Sequence, residues 1–482
     1  MRHHRLTLCL ILLLQCAWLC VGTIHTTYAQ QRAKYVFYFI GDGMGPLQRE
    51  VGEQYLKGIT NDPDATLLMN QLPVQGYIHT RSANNEVTDS AAAGTALACG
   101  HKTNNGAIGL LPDLKTSIPT IAELAHQFGL KVGILSTVTL DHATPACFYA
   151  HQANRSEYFP IAEQLAKSKF EYFAGGGLAG LKNDQQNNLD LATTNGFIIT
   201  QTLGALAEQK PGMRVIALND SPNAQRSPLP YDLERNEKDI TLAEFVSHAV
   251  RLLDNDKGFF MMVEGGKIDW AGHGNAIGTM AREVTALDDA VKVAMKFYND
   301  HPDDTLIIVT ADHETGGMQK IGKPNAAYLA GFNQSYDQFK SKLKQLVKDK
   351  ATYEQAIQMA TEHFRLDPFT DEHNQVMKIT WTALLSGEPI KHNHGKNNQF
   401  TENCLKLAAH KAGYKFTTHG HSKADVPISA IGVGATWFKE TQDNTSVPKH
   451  LYQLITGMPM SVLDPPPSPT PTATTTDEAQ TD

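Results

Sequence analysis

Ser90 sits in the stretch VTDSAAAGTALACG, from Val87 to Gly100, between an acid, Asp89, and three alanines. Such a run suits a buried helix start. It equally suits a nucleophile that something large and charged must approach closely. Other polar residues stand where apolar runs end. Asp42 lies in IGDGMG, whose glycines let the backbone turn sharply and let a ligand come near. An aspartate capping a helix would look the same. Glu264, Asp269 and His273 lie in MVEGGKIDWAGHG. Asp269 and His273 are four apart, on one face of a helical turn. A carboxylate and an imidazole at that spacing suit Zn2+, although an exposed ion pair is the plainer reading. Asp312 and His313 follow the run TLIIVT. Two such groups at the end of a buried strand are expensive unless paired or metal-bound. Glu314, next in line, reads as a supporting or surface residue.

Two further clusters join these. His419 and His421 occur in TTHGHSKADVP, and spacing alone does not choose between them as ligands. His142, Thr144, His151 and Arg155 occur in LDHATPACFYAHQANR. A hydroxyl such as that of Thr144 completes a hard-metal site. The planar fork of Arg155 suits phosphate, though a single arginine is more often a surface residue. A serine, an arginine and two neighbouring metal clusters together make a phosphoryl-transfer site. A neighbouring metal activates the serine hydroxyl, and the arginine holds the nonbridging oxygens.

Chemistry of this kind needs all these residues on one rim. The runs YVFYFIGDGMG, VGILSTVTLDHATP, GFFMMVEGGKID, TLIIVTADHETGG and VPISAIGVGA are rich in Val, Ile and Phe without alternation, as in strands buried on both faces. Helical patterns lie between them, including TLAEFVSHAVRLLDND and TMAREVTALDDAVKVAMKFYND. The expected fold is therefore α/β, a three-layer sandwich with a large, mostly parallel central sheet flanked by helices. Ligands bind such sheets outside the carboxyl ends of the strands, where the polar residues above fall. The Lys-, Gln- and His-rich stretch 326–413 reads as an inserted, mainly helical cap, with the chain rejoining the main sheet near Tyr414. The catalytic α/β domain then comprises 30–325 and 414–460.

Arg2 and Arg5 precede the apolar run LTLCLILLLQCAWLCVG and a polar stretch ending TTYAQ. Residues 1–29 read as a secretory signal cleaved after Ala29, with an uncleaved anchor as the alternative. No later run is apolar enough to span a bilayer, so an exported protein without a stable membrane span is expected. Cys99, Cys147 and Cys404 remain after the signal, an odd number that permits one disulfide at most; all three read as small core residues. The net charge of −8 argues against a nucleic-acid-binding role, which needs a basic face. The Pro/Thr-rich tail, 461–482, is expected to be disordered.

The segment VTDSAAAGT resembles the active-site signature of alkaline phosphatases. GDGMG before it and HATPACFYAHQANR, VEGGKIDWAGHG, TADHETGG and HGHSKADVP after it appear in the family's order, and the resemblance spans roughly Lys34 to Tyr452. It implies a phosphomonoesterase with two zinc ions and one magnesium ion. Ser90 matches the nucleophile that becomes phosphoserine, and Arg155 the phosphate-binding arginine, oriented by Asp89. Asp269, His273 and His421 match ligands of the first zinc, and Asp42, Asp312 and His313 those of the second. Asp42, Thr144 and Glu264 match the magnesium ligands. His421 is preferred over His419 because the family's ligand opens a motif ending in Asp-Val-Pro, here Asp425-Val426-Pro427. In-line attack, two inversions, an alkaline optimum and a homodimer are also implied.

The sequence departs from enterobacterial-type members at His142, where they carry Asp beside the magnesium site, and at Trp270, where they carry Lys. The first puts the identity of the third metal in question; the second removes a cation near the phosphate. Lys423 replaces a usual small residue and is expected to face solvent. The alternative reading is a phosphodiesterase or another phosphoryl-transfer enzyme of the same metal-dependent superfamily, separable by rates on matched monoesters and diesters. A binding protein without turnover would lack a catalytic residue, and none is missing.

Overall fold

The computed structural model describes residues 32–458 except 222, 367–368 and 388–397. The expected signal segment and the 461–482 tail lie outside the described residues. The five apolar runs form β1 (Tyr35–Gly41), β3 (Lys131–Ser136), β7 (Phe259–Glu264), β8 (Thr305–Ala311) and β9 (Val426–Gly432), and five further strands join them, β2 (Val74–His79), β4 (Tyr172–Gly175), β5 (Phe197–Thr200), β6 (Arg214–Leu218) and β10 (Gln442–Asp443). They make one ten-stranded sheet in the order β10-β2-β9-β8-β1-β7-β3-β4-β6-β5. Every strand shares one direction except β9, which runs antiparallel to both of its neighbours, β2 and β8.

Successive side chains of a strand point to opposite faces. All of β1, β7 and β8 is buried, so both faces of the sheet centre are covered. The helices Ile121–Gln127 and Leu242–Leu253 pack on β3, and the long helix Ile277–Asp300 packs on β1 and β8. Near the sheet edge β2 alternates buried with exposed residues, the pattern of a strand covered on one face.

Between Ala326 and Ala412 the described chain is helical, with principal helices at Tyr336–Lys348, Tyr353–Phe364, Asp371–Leu385 and Gln399–Ala412. Phe339, Phe364, Trp381 and Phe400 are buried among them. Tyr414–Lys415 does not re-enter the large sheet. It pairs antiparallel with Gln319–Lys320, and the chain rejoins the main sheet only at β9. Cys99, Cys147 and Cys404 are free and buried. Among the described residues no helix is long and apolar enough to cross a membrane.

Candidate active site

Strand register gathers the polar residues. Glu264, the last residue of β7, pairs with Ile40 of β1 and Ser136 of β3. Gly41 pairs with Ala311 one step further on, so Asp42 and Asp312 leave neighbouring strands side by side. Because β9 runs the other way, it is its beginning that reaches this rim. Just ahead of it, His421–Ser422 pairs with Glu314–Thr315, which seats His421 against the Asp312–His313 turn. Gly43 has a φ of +70°, and a Cβ there would lie 2.7 Å from Thr315 Oγ1 and 2.9 Å from Asp269 Cα. Only glycine lets the Asp42 loop pass so close to the Asp269 helix.

Three sets of ligand atoms result: Asp269 with His273 and His421, Asp42 with Asp312 and His313, and Asp42 with Glu264 and His142. Asp269 and His273 lie on the helix Lys267–His273, with His273 Nε2 3.3 Å from Asp269 Oδ2. His273 Nδ1 donates to the His419 carbonyl, and His421 Nδ1 donates to the Thr88 carbonyl at 2.9 Å. Each ring therefore turns Nε2 inward, and the two Nε2 atoms lie 3.2 Å apart. A backbone acceptor fixing one nitrogen while the other faces the ion is the usual arrangement of a metal-ligating histidine. His313 Nε2 lies 3.2 Å from Ser90 Oγ, 3.4 Å from Asp42 Oδ1 and 3.3 Å from Asp312 Oδ2. The His313 and His421 rings stack with centroids 3.5 Å apart, so the first two sets adjoin.

Ser90 is the first residue of the helix Ser90–Cys99, in which every residue is buried. Asp89 caps it: Oδ1 accepts from the Ala92 amide at 3.0 Å. Oδ2 accepts at 3.0 Å from both the Gly106 amide and Arg155 Nη1. One carboxylate thus sets the helix start and the guanidinium together. The other fork nitrogen of Arg155, Nη2, lies 3.4 Å from His142 Nε2.

The site carries more negative charge and lone pairs than its own protons satisfy. Both Asp42 carboxylate oxygens, Asp312 Oδ2, Glu264 Oε1 and Thr144 Oγ1 are buried without a hydrogen-bond partner. Burial, with Asp312 and Asp269 beside it, pushes the Asp42 carboxyl well up. Burial also raises Glu264 to about 8 and Asp312 to about 7. Burial lowers His273, but facing Asp269 more than offsets this and brings the ring to about 9. Burial raises Asp269, but its facing histidines more than offset this and hold it well below the usual carboxylate range. Burial, reinforced by Arg155, lowers His142 to about 3, so that ring is neutral. Cations fit these donors: they satisfy the orphaned oxygens and hold the ligands deprotonated.

The expected residues fall into place unequally. His142 brings a ring nitrogen into the same set as Asp42 and Glu264 rather than standing behind it, and its Nδ1 is buried without a partner. Trp270 packs edge-on against His142 with centroids 6.1 Å apart. His151 lies outside the three sets, with Nδ1 2.8 Å from the Gly109 carbonyl. Glu314 is a buried brace accepting from Gln48 Nε2 at 2.8 Å, and Lys423 is exposed. Sequence reasoning missed Ser136, which donates to Glu264, and Thr315, which donates to Asp269 Oδ1 at 2.5 Å. Both are strand-end hydroxyls, and only the register shows which acid each one meets.

A sequence model of the alkaline phosphatase family matches residues 33–175 and 224–456. Repressible alkaline phosphatase of Saccharomyces cerevisiae is 29% identical over 456 residues, covering 85% of this chain and 78% of the yeast protein. Alkaline phosphatase 3 of Bacillus subtilis is 28% identical over 445 residues, covering 88% and 90%. The crystal structure of a cold-active alkaline phosphatase from a psychrophilic Shewanella superposes with a TM-score of 0.73 at 27% identity, covering 87% of this chain and 99% of that one. A match over most of its length, on a fold these enzymes share, makes this chain a member of the alkaline phosphatase family and a phosphoric monoester hydrolase.

Proposed function

We propose that the chain hydrolyses phosphate monoesters through a phosphoserine formed at Ser90. The observation that carries this is the position of the Ser90 hydroxyl. It stands at the start of a buried helix, 3.2 Å from His313 Nε2, on the rim where Asp89 holds Arg155. Asp269, His273 and His421 hold one zinc ion, and Asp42, Asp312 and His313 a second. Asp42, Thr144 and Glu264 hold magnesium, with His142 as a neutral nitrogen donor at the same place. When bound, these cations supply the positive charge that favours the serine alkoxide and the departing oxygen.

The chain's own residues do the rest. Arg155 binds two nonbridging oxygens through its fork while Asp89 fixes the plane of that fork. The N-terminal end of the Ser90 helix, with its partial positive charge, faces the phosphoryl group. Ser90 Oγ attacks phosphorus in line, forming the Ser–O–P bond as the bond to the alcohol oxygen breaks. Water then attacks phosphorus from the vacated side as the Ser90 Oγ–P bond breaks, which returns the serine and releases inorganic phosphate, so two inversions give net retention. Both attacking oxygens must lose a proton, which favours alkaline pH. The Trp270 ring replaces a cation beside this phosphate. The composition of 1–29 supports export, and the family resemblance supports a homodimer; 326–413 forms a helical cap on a catalytic domain of 30–325 and 414–460.

The test is phosphoenzyme trapping. Wild-type protein quenched in acid during turnover of a phosphate monoester should carry one phosphoryl group on the peptide containing Ser90. Ser90→Ala should carry none, retain its metals, and lose at least about a thousandfold in turnover. Full activity in that variant would overturn the assignment.

A further inference from the structure

One acidic side chain of the helical insertion, Glu402, is linked to the first metal set through His419. His419 and His273 are clasped in both directions: His273 Nδ1 donates to the His419 carbonyl, and His419 Nδ1 lies 2.8 Å from the His273 carbonyl. The Asn275 amide, with its nitrogen turned to the carbonyls, adds bonds to Thr418 at 3.1 Å and Gly272 at 3.0 Å. The far nitrogen of the His419 ring, Nε2, lies 3.2 Å from Glu402 Oε2. Glu402 stands in the first turn of the helix Gln399–Ala412, the last helix before the chain leaves the insertion. Carboxylate, imidazole, main chain and inward-facing imidazole thus form one continuous line into the site.

This line restrains the Nδ1 side of the His273 ring, while Asp269 faces its Nε2 side. The orientation of His273 draws on its Nδ1 bond to the His419 carbonyl, and the His419 ring holds that carbonyl together with the main-chain bonds of Thr418 and Gly420 to Gly316. We infer that Glu402 is a positioning residue: acting through His419, it sets the His273 imidazole for metal binding. The inference rests on the metal reading of Asp269, His273 and His421. Partners standing one step behind a ligand commonly change metal affinity about 10–100-fold when removed.

The experiment measures zinc binding by the full-length, metal-stripped protein against a chromogenic chelator, together with thermal unfolding of the metal-free form. Glu402→Ala should lose about tenfold or more in affinity at one zinc site, while metal-free unfolding stays close to wild type. Glu402→Gln keeps an acceptor and should remain within a few-fold of wild type. His419→Gln should weaken the same site, and adding Glu402→Ala to it should cause little further loss, because the two act in series. Wild-type affinity in Glu402→Ala, or full additivity in the double variant, overturns the inference. Failure of the wild-type protein itself to bind zinc would instead refute the metal reading.

Discussion

Asp89 serves three partners with two oxygens, and this makes it the most informative single residue to change. Removing its cap bond to Ala92 costs about 1 kcal/mol of stability. Releasing Arg155 removes the restraint on the phosphate fork. Asp89→Ala should therefore lower the unfolding midpoint modestly and raise the inhibition constant for inorganic phosphate about tenfold or more. It should still form phosphoserine, since Ser90 is intact. Unchanged phosphate inhibition would show that Arg155 needs no partner to hold its plane. At this scale much was legible in the sequence. An aspartate ending a buried apolar run, or an Asp and His four apart, is informative without any fold. Spacing alone did not choose between His419 and His421, and the family motif was needed to favour His421, because the choice depends on which ring turns Nε2 inward. That is decided by the carbonyls of Thr88 and His273, residues far away in the chain.

The helix that carries Ser90 shows why its sequence is so small-sided. It is buried all round, and a Cβ on Gly94 would lie 2.9 Å from Cys147 Sγ and 3.5 Å from Thr144 Cα. The alanines and this glycine let the helix press against the segment bearing Thr144. Gly94→Val should cost about 1–3 kcal/mol by overpacking. Because the strain falls on Cys147, three residues after Thr144 in the same segment, the variant should also lose more affinity for magnesium than for zinc. Thermal unfolding and metal titration read the two effects, and an unchanged midpoint would mean that the segment gives way freely. Strands and helices were readable from apolar runs and 3.6-residue periodicity. The two-residue ribbon at Gln319–Lys320 and Tyr414–Lys415 was not, since pairs so short carry no pattern of their own.

Across the whole molecule, protons and cations compete for the same buried cluster. Glu264 near 8, Asp312 near 7 and His273 near 9 all lie above their unfolded values. The folded, metal-free protein therefore holds protons that the unfolded chain has released, and its stability falls as pH rises through this range. Below about 6.5 the buried neutral rings of His142 and His313 act in the opposite direction, because unfolding lets them protonate. The clean window lies between about 6.5 and 9. There, the midpoint of chelator-treated protein should drop with rising pH, and added Zn2+ should raise it more at the upper end than at the lower. An equal rise at both ends would show that the cluster does not exchange protons for metal.

The strand β9 has a consequence for timing. Among the described residues it alone joins the β10–β2 edge to the other strands of the large sheet, it belongs to the last part of the described chain, and His421 stands just ahead of it. The donor atoms are spread from Asp42 to His421. A growing polypeptide thus has neither a closed sheet nor a full set of donors until almost all of it has emerged. A chain carried unfolded across a membrane would pass through as an inert thread, unable to hydrolyse the phosphate esters of the compartment that made it. Its chemistry would begin only at its destination.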